Sequence, residues 1–425
     1  MGALDGRSDA SSDGVDDYRR RARAWLTTNL PPLEGAAQRP TSEDLTPEVM
    51  AANRALQRKL FEAGYAGISW PKEYGGHGLS SAHEGAFLDE ASAFAMPDFG
   101  ALSATTFDIC VPTMLTHGAP EFLRRFIPKV LSGDALVCQF FSEPSSGSDL
   151  AGARTRATRD GDQWILNGQK VWSTLAHLAD WGLCLTRTDW DVPKHRGLTW
   201  FAVPCDAPGL TIRPIRQINE TAEFCEDFFD DVVVPDTDRI GALNEGWAVT
   251  QTMLVLERGA GRRDAAIPPS GPGPMPEELV SLAQRAGRLA DPLTRQRLAR
   301  VHTTDFVGRV LTARIAEMGR LGELNPGLAS YVKLFRGTYT PIRARLAVEI
   351  GGGPAMIWEG GDAKRAATSL AYLNGRSASI AGGTNEMQRN GIAERALGMP
   401  REPSFDAHRP FNEVVREAQN PKGTP

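Results

Sequence analysis

The chain has 425 residues, of which 41% are hydrophobic and 23% are charged, and its formal net charge is −5. This composition is typical of a soluble globular protein, and the length favours two or three domains. The negative charge, without a dense Lys/Arg tract, gives no reason to expect nucleic-acid binding. No apolar run is long enough to span a membrane.

The cysteine and histidine patterns argue against several kinds of site. There is no CxxC pair and no HExxH, which argues against a disulfide framework, a zinc site and a metal hydrolase. We therefore expect no metal and a reducing, cytoplasmic location. The absence of GxGxxG and GxxxxGK[ST] leaves Rossmann and P-loop nucleotide sites without support. The five scattered cysteines are Cys110, Cys138, Cys184, Cys205 and Cys225.

The first third of the chain has helical periodicity. Residues 1–17 are acidic and rich in Gly and Ser, which predicts a disordered tail and neither a signal nor a transit peptide. Residues 64–78 form a Gly-rich loop between predicted helices. Residues 18–135 are thus predicted to form a helical domain, with helices over 15–29, 46–63, 83–94, 105–117 and 120–132.

The periodicity changes to that of strands at residue 136. Short alternating segments separated by Gly, Pro and Asp predict a small antiparallel barrel or sandwich over residues 136–240. Asp160-Gly161 and Asn167-Gly168 are predicted hairpin turns.

After residue 240 the pattern is helical again, with a Pro/Gly-rich connection at 265–276. Residues 241–402 are predicted to form an antiparallel helical bundle, and residues 403–425 an irregular tail. The fold class is therefore α+β, with several domains.

Residues 140–149, FFSEPSSGSD, form what we call the serine-rich turn. The segment follows a predicted strand and concentrates glycine and hydroxyl-bearing side chains. Such a turn lets a ligand approach the backbone and offers N–H and hydroxyl donors to an anion or a ring edge. A polar surface loop without a ligand is the alternative that the composition alone leaves open.

From Tyr18 to Glu402 the chain resembles the acyl-CoA dehydrogenases. The matching segments are ISWPKEYGGHG, FFSEPSSGSDLAG, LNGQKVWST, EFCEDFFDDVVVP and IAGGTNEMQRNGIAERALGMPRE. The resemblance implies a helical N-terminal domain, a middle antiparallel β-barrel and a C-terminal four-helix bundle that mediates tetramer formation. It also implies FAD, an acyl-CoA substrate and electron transfer flavoprotein as acceptor. Bacterial members acting on sterol side chains and other bulky acyl-CoAs are the most similar.

The resemblance places the flavin against the serine-rich turn and the strand after it. Trp172 would pack against the flavin and Thr174 would bond its N5. A core aromatic on an alternating strand is the alternative for Trp172. The implied flavin contacts are Phe141, Ser142, Gly147, Ser148, Trp172, Thr174, Gly383 and Thr384.

The resemblance also concerns the catalytic base. Most members carry a glutamate where this chain has Gly382, so the usual base is absent. A minority place it before an arginine on the first bundle helix, which matches Glu257 and Arg258. Removal of a proton α to a thioester needs such a carboxylate as the base. Partial desolvation would raise its pKa toward a value useful for proton abstraction. An ion pair of Glu257 with Arg258 or Arg262 on a helix surface is the alternative. The implied substrate contacts are Ser148, Arg258 and the N–H of Gly382.

This chain differs from the family at two contacts that family members make to the FAD of a neighbouring subunit. No Arg-x-x-Phe-Gly segment lies between Pro276 and Arg300, and Arg285 or Arg288 could substitute. The family's Gln before Gly-Gly is Glu349 here, whose charge would repel a diphosphate. We therefore expect a hetero-oligomer with a homologous second subunit, with a homotetramer as the alternative.

The sequence leaves three functions open. The first is a catalytic dehydrogenase subunit, and the second is a non-catalytic scaffold for an active homologue. The third is a flavin-dependent oxidase or monooxygenase on the same fold. Small residues at 259–261 indicate space for a bulky or branched acyl chain.

Overall fold

A computed structural model of the chain describes residues 12–33, 40–257, 273–321, 327–357 and 363–419. The chain divides into two compact units. The first unit comprises the described residues within 1–217, 221–250 and 406–425, and the second comprises those within 218–220 and 251–405.

The N-terminal region is helical, as predicted. Helix α1 buries Tyr18, Ala22 and Leu26 along one face, which is the periodicity seen in the sequence. It begins inside the tail that was predicted to be disordered, so that boundary was wrong. The helices are α1 (Ser12–Asn29), α2 (Pro47–Glu62), α3 (Ser81–Ala91), α4 (Ala101–Ala104), α5 (Val111–His117) and α6 (Pro120–Leu131), with a π-helical segment at Thr105–Cys110.

The middle of the chain forms one eight-stranded sheet. Its order is β6-β7-β3-β2-β4-β5-β8, and β1 pairs with β4. The strands are β1 (Val137–Phe140), β2 (Arg156–Asp160), β3 (Gln163–Thr174), β4 (Trp181–Arg187), β5 (Leu198–Pro204), β6 (Leu210–Ile215), β7 (Phe224–Pro235) and β8 (Arg239–Ile240).

The prediction of an antiparallel barrel was wrong, because the sheet is mixed and open. Strands β1 and β2 each pair with β4 in parallel. Within the described part of the chain, the end strands β6 and β8 do not pair with each other. The parallel pairing arises because the chain passes through the serine-rich turn and the β2–β3 hairpin before β4 begins. This crossover returns the chain to the end of the sheet at which β1 started, so β4 runs in the same direction as β1.

One of the two predicted hairpin turns is present. Asp160 pairs with Gln163, so Gly161 lies in the two-residue turn between β2 and β3. Asn167 and Gly168 instead lie inside β3, at an irregularity in its pairing with β7. Asn167 Nδ2 donates to Asp231 Oδ1 at 2.9 Å, and this side-chain bond holds the two strands together across the bulge.

The sheet core is apolar and contains buried cysteines that are all free. Phe140, Cys184 and Phe201 are completely buried there. Trp200 is also buried, and its Nε1 donates at 3.0 Å to Gly246 O at the start of helix α7 (Gly246–Val255). The sheet therefore fixes where α7 begins.

The C-terminal region is helical, as predicted. A core of Leu279, Val301 and Ile350 joins the first three of its helices. These helices are α8 (Glu277–Arg285), α9 (Pro292–Arg320), α10 (Ala329–Gly351), α11 (Ala363–Asn374) and α12 (Asn385–Gly391). In the described ranges, no helix has both the length and the apolar character needed to cross a bilayer.

The irregular tail predicted after residue 403 contains a helix, α13 (Phe411–Gln419), which belongs to the first unit. Phe411 at its start is 4% exposed and lies under the guanidinium group of Arg187. The polar composition of the tail concealed this helix, because one buried aromatic residue is its main anchor.

Candidate functional site

A buried carboxylate anchors the serine-rich turn. Glu143 Oε1 accepts hydrogen bonds from Thr155 N and Lys170 Nζ, both at 2.8 Å, and Oε2 accepts one from Arg154 N at 2.7 Å. Lys170 Nζ also donates to Phe141 O at 3.1 Å. Both side chains of the ion pair are almost fully buried. The turn is thus bonded at several points to β3 and to the backbone before β2.

The Glu143–Lys170 pair was not found from the sequence. Burial opposes the charge of Glu143, yet the nearby Lys170 ammonium and the hydrogen bonds hold the pKa of this carboxyl below its usual value. A glutamate in a polar turn gave no sign of burial. The available signal was Lys170, a charged residue at a position where β3 faces inward.

The turn itself is compact and leaves space beside Gly147. Glu143 and Ser146 exchange two backbone hydrogen bonds of 3.0 Å, and Ser146 Oγ donates to Asp149 O at 2.7 Å. Ser148 is exposed. A Cβ added to Gly147 would meet nothing within 4 Å, and its φ is not positive. Neither packing nor backbone conformation explains this glycine, whereas a ligand that approaches the turn closely would.

Trp172 is an exposed aromatic residue in a strained backbone conformation. Its side chain is 58% exposed and its φ is +67°, in the left-handed region. It lies at a register shift between Val171 and Ser173 in the pairing of β3 with β7. The core-aromatic alternative is therefore wrong. A strained residue persists only where the surrounding structure holds it in place, and such residues cluster at functional sites.

The turn and the bulge are directly connected. Val171 N donates to Ser142 O at 2.9 Å, which places the start of the turn beside the bulged segment. Thr174 is half-buried two residues after Trp172. The structure therefore brings Ser142 of the turn beside the bulged part of β3, within the first unit. An exposed indole, open space and hydroxyl donors suit a flat ligand with polar edges.

A second buried carboxyl lies below this surface and was also missed by sequence reasoning. Asp227 of β7 is completely buried, and its Oδ2 accepts a hydrogen bond from Ser173 Oγ at 2.6 Å. Burial raises the pKa of Asp227 to about 7, although Ser173 and the charge of Lys170 oppose the shift. The carboxyl is therefore partly protonated at neutral pH.

In the second unit, backbone conformation accounts for both glycines of the Gly-Gly-Thr segment. Gly382 and Gly383 have φ values of +66° and +89°, which favour glycine. The buried Gln388 donates from Nε2 to both glycine carbonyls, at 3.2 Å each. Thr384 Oγ1 accepts a hydrogen bond from Met387 N at 3.2 Å and caps α12.

Glu257 is half-buried in the second unit, where α7 continues into a π-helical turn at residues 256–257. Such turns are rare and are frequent at functional sites. Arg258, Arg262 and the small residues at 259–261 lie outside the described residues. The predicted pairing of Glu257 with either arginine therefore stays a prediction.

Glu349, near the end of α10, is paired with arginines of its own chain. Its carboxylate lies 2.8 Å from Arg297 Nε and 3.5 Å from Arg345 Nε. Arg288 Nη1 donates to Glu349 O at 2.8 Å, while Arg285 is exposed. Arg288 thus binds the backbone at the C-terminal end of α10, and the charge of Glu349 is compensated locally.

Models of three successive domains match this chain. They are the acyl-CoA dehydrogenase N-terminal domain over residues 13–134, the middle domain over 138–232 and the C-terminal domain over 244–397. The chain belongs to the acyl-CoA dehydrogenase family. Enzymes of this family are oxidoreductases that carry out FAD-dependent dehydrogenation of acyl-CoA, and this reaction class applies to the present chain.

Individual relatives agree with this assignment. The acyl-CoA dehydrogenase IpdE1 of Mycobacterium tuberculosis is 38% identical over 392 residues, which cover 91% of this chain and 98% of IpdE1. The ChsE4-ChsE5 complex of the same species matches with a TM-score of 0.68 and 28% identity, covering 93% of this chain and 100% of that one. The Tcur3481-Tcur3483 steroid ACAD matches with a TM-score of 0.68 and 26% identity over 92% and 99% of the two chains.

Proposed function

We propose that this acyl-CoA dehydrogenase is the catalytic subunit of a hetero-oligomer that acts on a bulky or branched acyl-CoA. When bound, FAD would supply, at its N5, the acceptor for the hydride that leaves the β carbon of the substrate. The residues that would hold FAD are Phe141, Ser142, Gly147, Ser148, Trp172, Thr174, Gly383 and Thr384. The proposal depends chiefly on Trp172, which is exposed and strained beside the serine-rich turn.

Glu257 is the proposed base that removes the α proton of the thioester. The family's usual glutamate position is Gly382, so the chain needs a carboxylate from another element. Half-burial favours Glu257 for this role, because a partly desolvated carboxylate is a stronger base than an exposed one. Ser148, Arg258 and the N–H of Gly382 would contact the substrate, and the last would polarise its carbonyl.

Three observations support a second, homologous subunit. Glu349 replaces the family's Gln, and its pairing with Arg297 and Arg345 uses two cations that could otherwise bind an anion. The missing Arg-x-x-Phe-Gly segment removes another such contact. The similarity to the ChsE4-ChsE5 complex supports an assembly of two different chains.

The proposed substrate class is supported by similarity to a steroid ACAD and by the small residues at 259–261. Electron transfer flavoprotein is the proposed acceptor.

The decisive experiment compares the chain expressed alone with the chain co-expressed with a candidate homologous subunit, chosen among the acyl-CoA dehydrogenases of the same organism. Flavin content and native mass are measured in both preparations. We expect little FAD in the chain alone, and FAD with a two-component assembly after co-expression. A stable homotetramer with one FAD per chain would exclude the hetero-oligomer, and the absence of FAD from both preparations would contradict the proposed function itself.

A further inference from the structure

One lysine connects the serine-rich turn to the C-terminal segment. Lys194 Nζ lies 2.9 Å from Asp149 Oδ2, at the last residue of the turn, and 2.7 Å from Asp406 Oδ2. Its side chain is 11% exposed. Burial alone would lower the pKa of Lys194, but its hydrogen bonds to the two carboxylates raise it, so the ammonium remains charged. Two segments that are far apart in sequence, around Asp149 and Asp406, are therefore joined by charged hydrogen bonds.

A second connection passes through Arg187, which is completely buried. Its guanidinium donates to Ala151 O at 2.6 Å and to Ala153 O at 3.0 Å, and both carbonyls lie just after the turn. The same guanidinium lies 3.9 Å from the ring centroid of Phe411 in the C-terminal segment. The backbone that leaves the turn is thus bonded to a cation that the segment covers.

The C-terminal segment is docked through its backbone as well. Phe411 N donates to Val192 O at 3.0 Å, and Asn412 N donates to Trp190 O at 2.9 Å. The docked stretch is the one that carries Lys194, so the segment, the lysine and the turn form one connected structure. All of these residues belong to the first unit.

We propose that residues 406–419, which we call the C-terminal brace, position the serine-rich turn for FAD through Lys194 and Arg187. The family's C-terminal model ends at residue 397, so the brace lies beyond every matched domain. This inference rests on the proposed function, in which the turn binds FAD. Asp406, Lys194 and Phe411 are positioning residues, since they act through Asp149 and the backbone after the turn.

The test measures the dissociation constant of FAD for the apoprotein in its native assembly. We expect Asp406→Asn and Lys194→Met each to weaken FAD binding about 5- to 10-fold. The first removes a carboxylate charge that holds Lys194, and the second removes the charged hydrogen bond to Asp149 of the turn. Lys194→Arg keeps both contacts and is expected to restore most of the affinity. The double variant is expected to resemble Lys194→Met, because Asp406 acts through that lysine.

The matched control is Glu417→Gln, which breaks an exposed ion pair with Arg409 on the same segment without touching the turn. It is expected to leave FAD affinity unchanged. The unfolding midpoint of the apoproteins and the visible circular dichroism of bound flavin distinguish positioning from general destabilisation. If the brace positions the turn, Asp406→Asn should alter the circular dichroism of bound flavin while its unfolding midpoint stays near that of the wild type.

Deletion of residues 406–425 is expected to weaken FAD binding more than either point variant does. Should the deletion variant fail to fold, the point variants still decide the question. Wild-type affinity in both Asp406→Asn and Lys194→Met would overturn the brace, as would an equal loss in the Glu417→Gln control. A wild-type protein that binds no FAD would overturn the proposed function, and the brace with it.

Discussion

The serine-rich turn and the Gly382–Thr384 segment both carry glycine in a candidate site, but for different physical reasons. In the turn, Gly147 has an ordinary backbone conformation and open space around it. In the other segment, Gly382 and Gly383 adopt left-handed conformations that favour glycine. A glycine at a binding site can therefore provide space for a ligand or a conformation for the backbone.

The two regions also differ in how they are held in place. The turn is held by the buried Glu143–Lys170 ion pair. The Gly382–Thr384 segment is held by its backbone and by hydrogen bonds from Gln388. The first region is thus positioned by a buried charge pair, and the second by backbone conformation and side-chain hydrogen bonds.

The largest expected effect is on Glu257. Glu257→Gln should lower the rate at which substrate reduces the flavin by about 10²- to 10⁴-fold, because the base is lost. Flavin content should not change. Stopped-flow absorbance measures the rate, and Glu386→Gln, on an exposed ion pair, is the control. An unchanged rate would mean that a homologous subunit performs the reaction and that this chain is a scaffold.

The next largest effect concerns the anchor of the turn. Lys170→Met leaves Glu143 buried without its cation and should lower the free energy of unfolding by about 3–5 kcal/mol. Urea denaturation of the apoprotein measures this loss. Adding Glu143→Gln removes the unpaired charge, so the double variant should recover part of the stability. A loss below about 1 kcal/mol in Lys170→Met would show that the pair does not anchor the turn.

A pH-dependent effect is expected at Asp227. Its folded pKa of about 7 lies above the unfolded value of 3.8, so the fold favours the protonated form. The stabilisation that comes from this preference is fully present below pH 3.8 and is lost as the pH rises through about 7. The free energy of unfolding should fall over this range by on the order of 4 kcal/mol. Asp227→Asn cannot ionise and should lack this loss. The difference between wild type and variant is measured by urea denaturation at several pH values. A difference that does not change with pH would contradict the expectation.

The smallest effects compare the two kinds of glycine. Gly382→Ala forces a side chain into a left-handed conformation and should cost about 1 kcal/mol of stability. Gly147→Ala should leave the stability of the apoprotein nearly unchanged, because the new Cβ meets no protein atom within 4 Å. It should weaken FAD binding, because this Cβ would fill space that the proposed ligand occupies. Thermal unfolding and FAD titration are measured for both. Equal losses of stability would remove the distinction between the two regions.

Local patterns were sufficient for much of the fold. The apolar face of α1 and the Asp160-Gly161 turn depend on neighbours in sequence, and both were predicted correctly. Asn167-Gly168 has the same local signal as a hairpin turn but forms a bulge, because Asp231 of β7 binds Asn167 and keeps the strand paired. The turn signal was thus overridden by a partner 64 residues away.

By itself, the sequence determined the family and the order of helical and strand-rich regions. These depend on motifs and periodicities that are local in the chain. Tertiary structure decided that the sheet is open and mixed, that Trp172 is exposed and strained, and that Glu143, Lys170 and Asp227 are buried. It also decided that the C-terminal segment reaches the serine-rich turn through Lys194. These features depend on residues that are distant in sequence and on the desolvation of charges, neither of which a local pattern encodes.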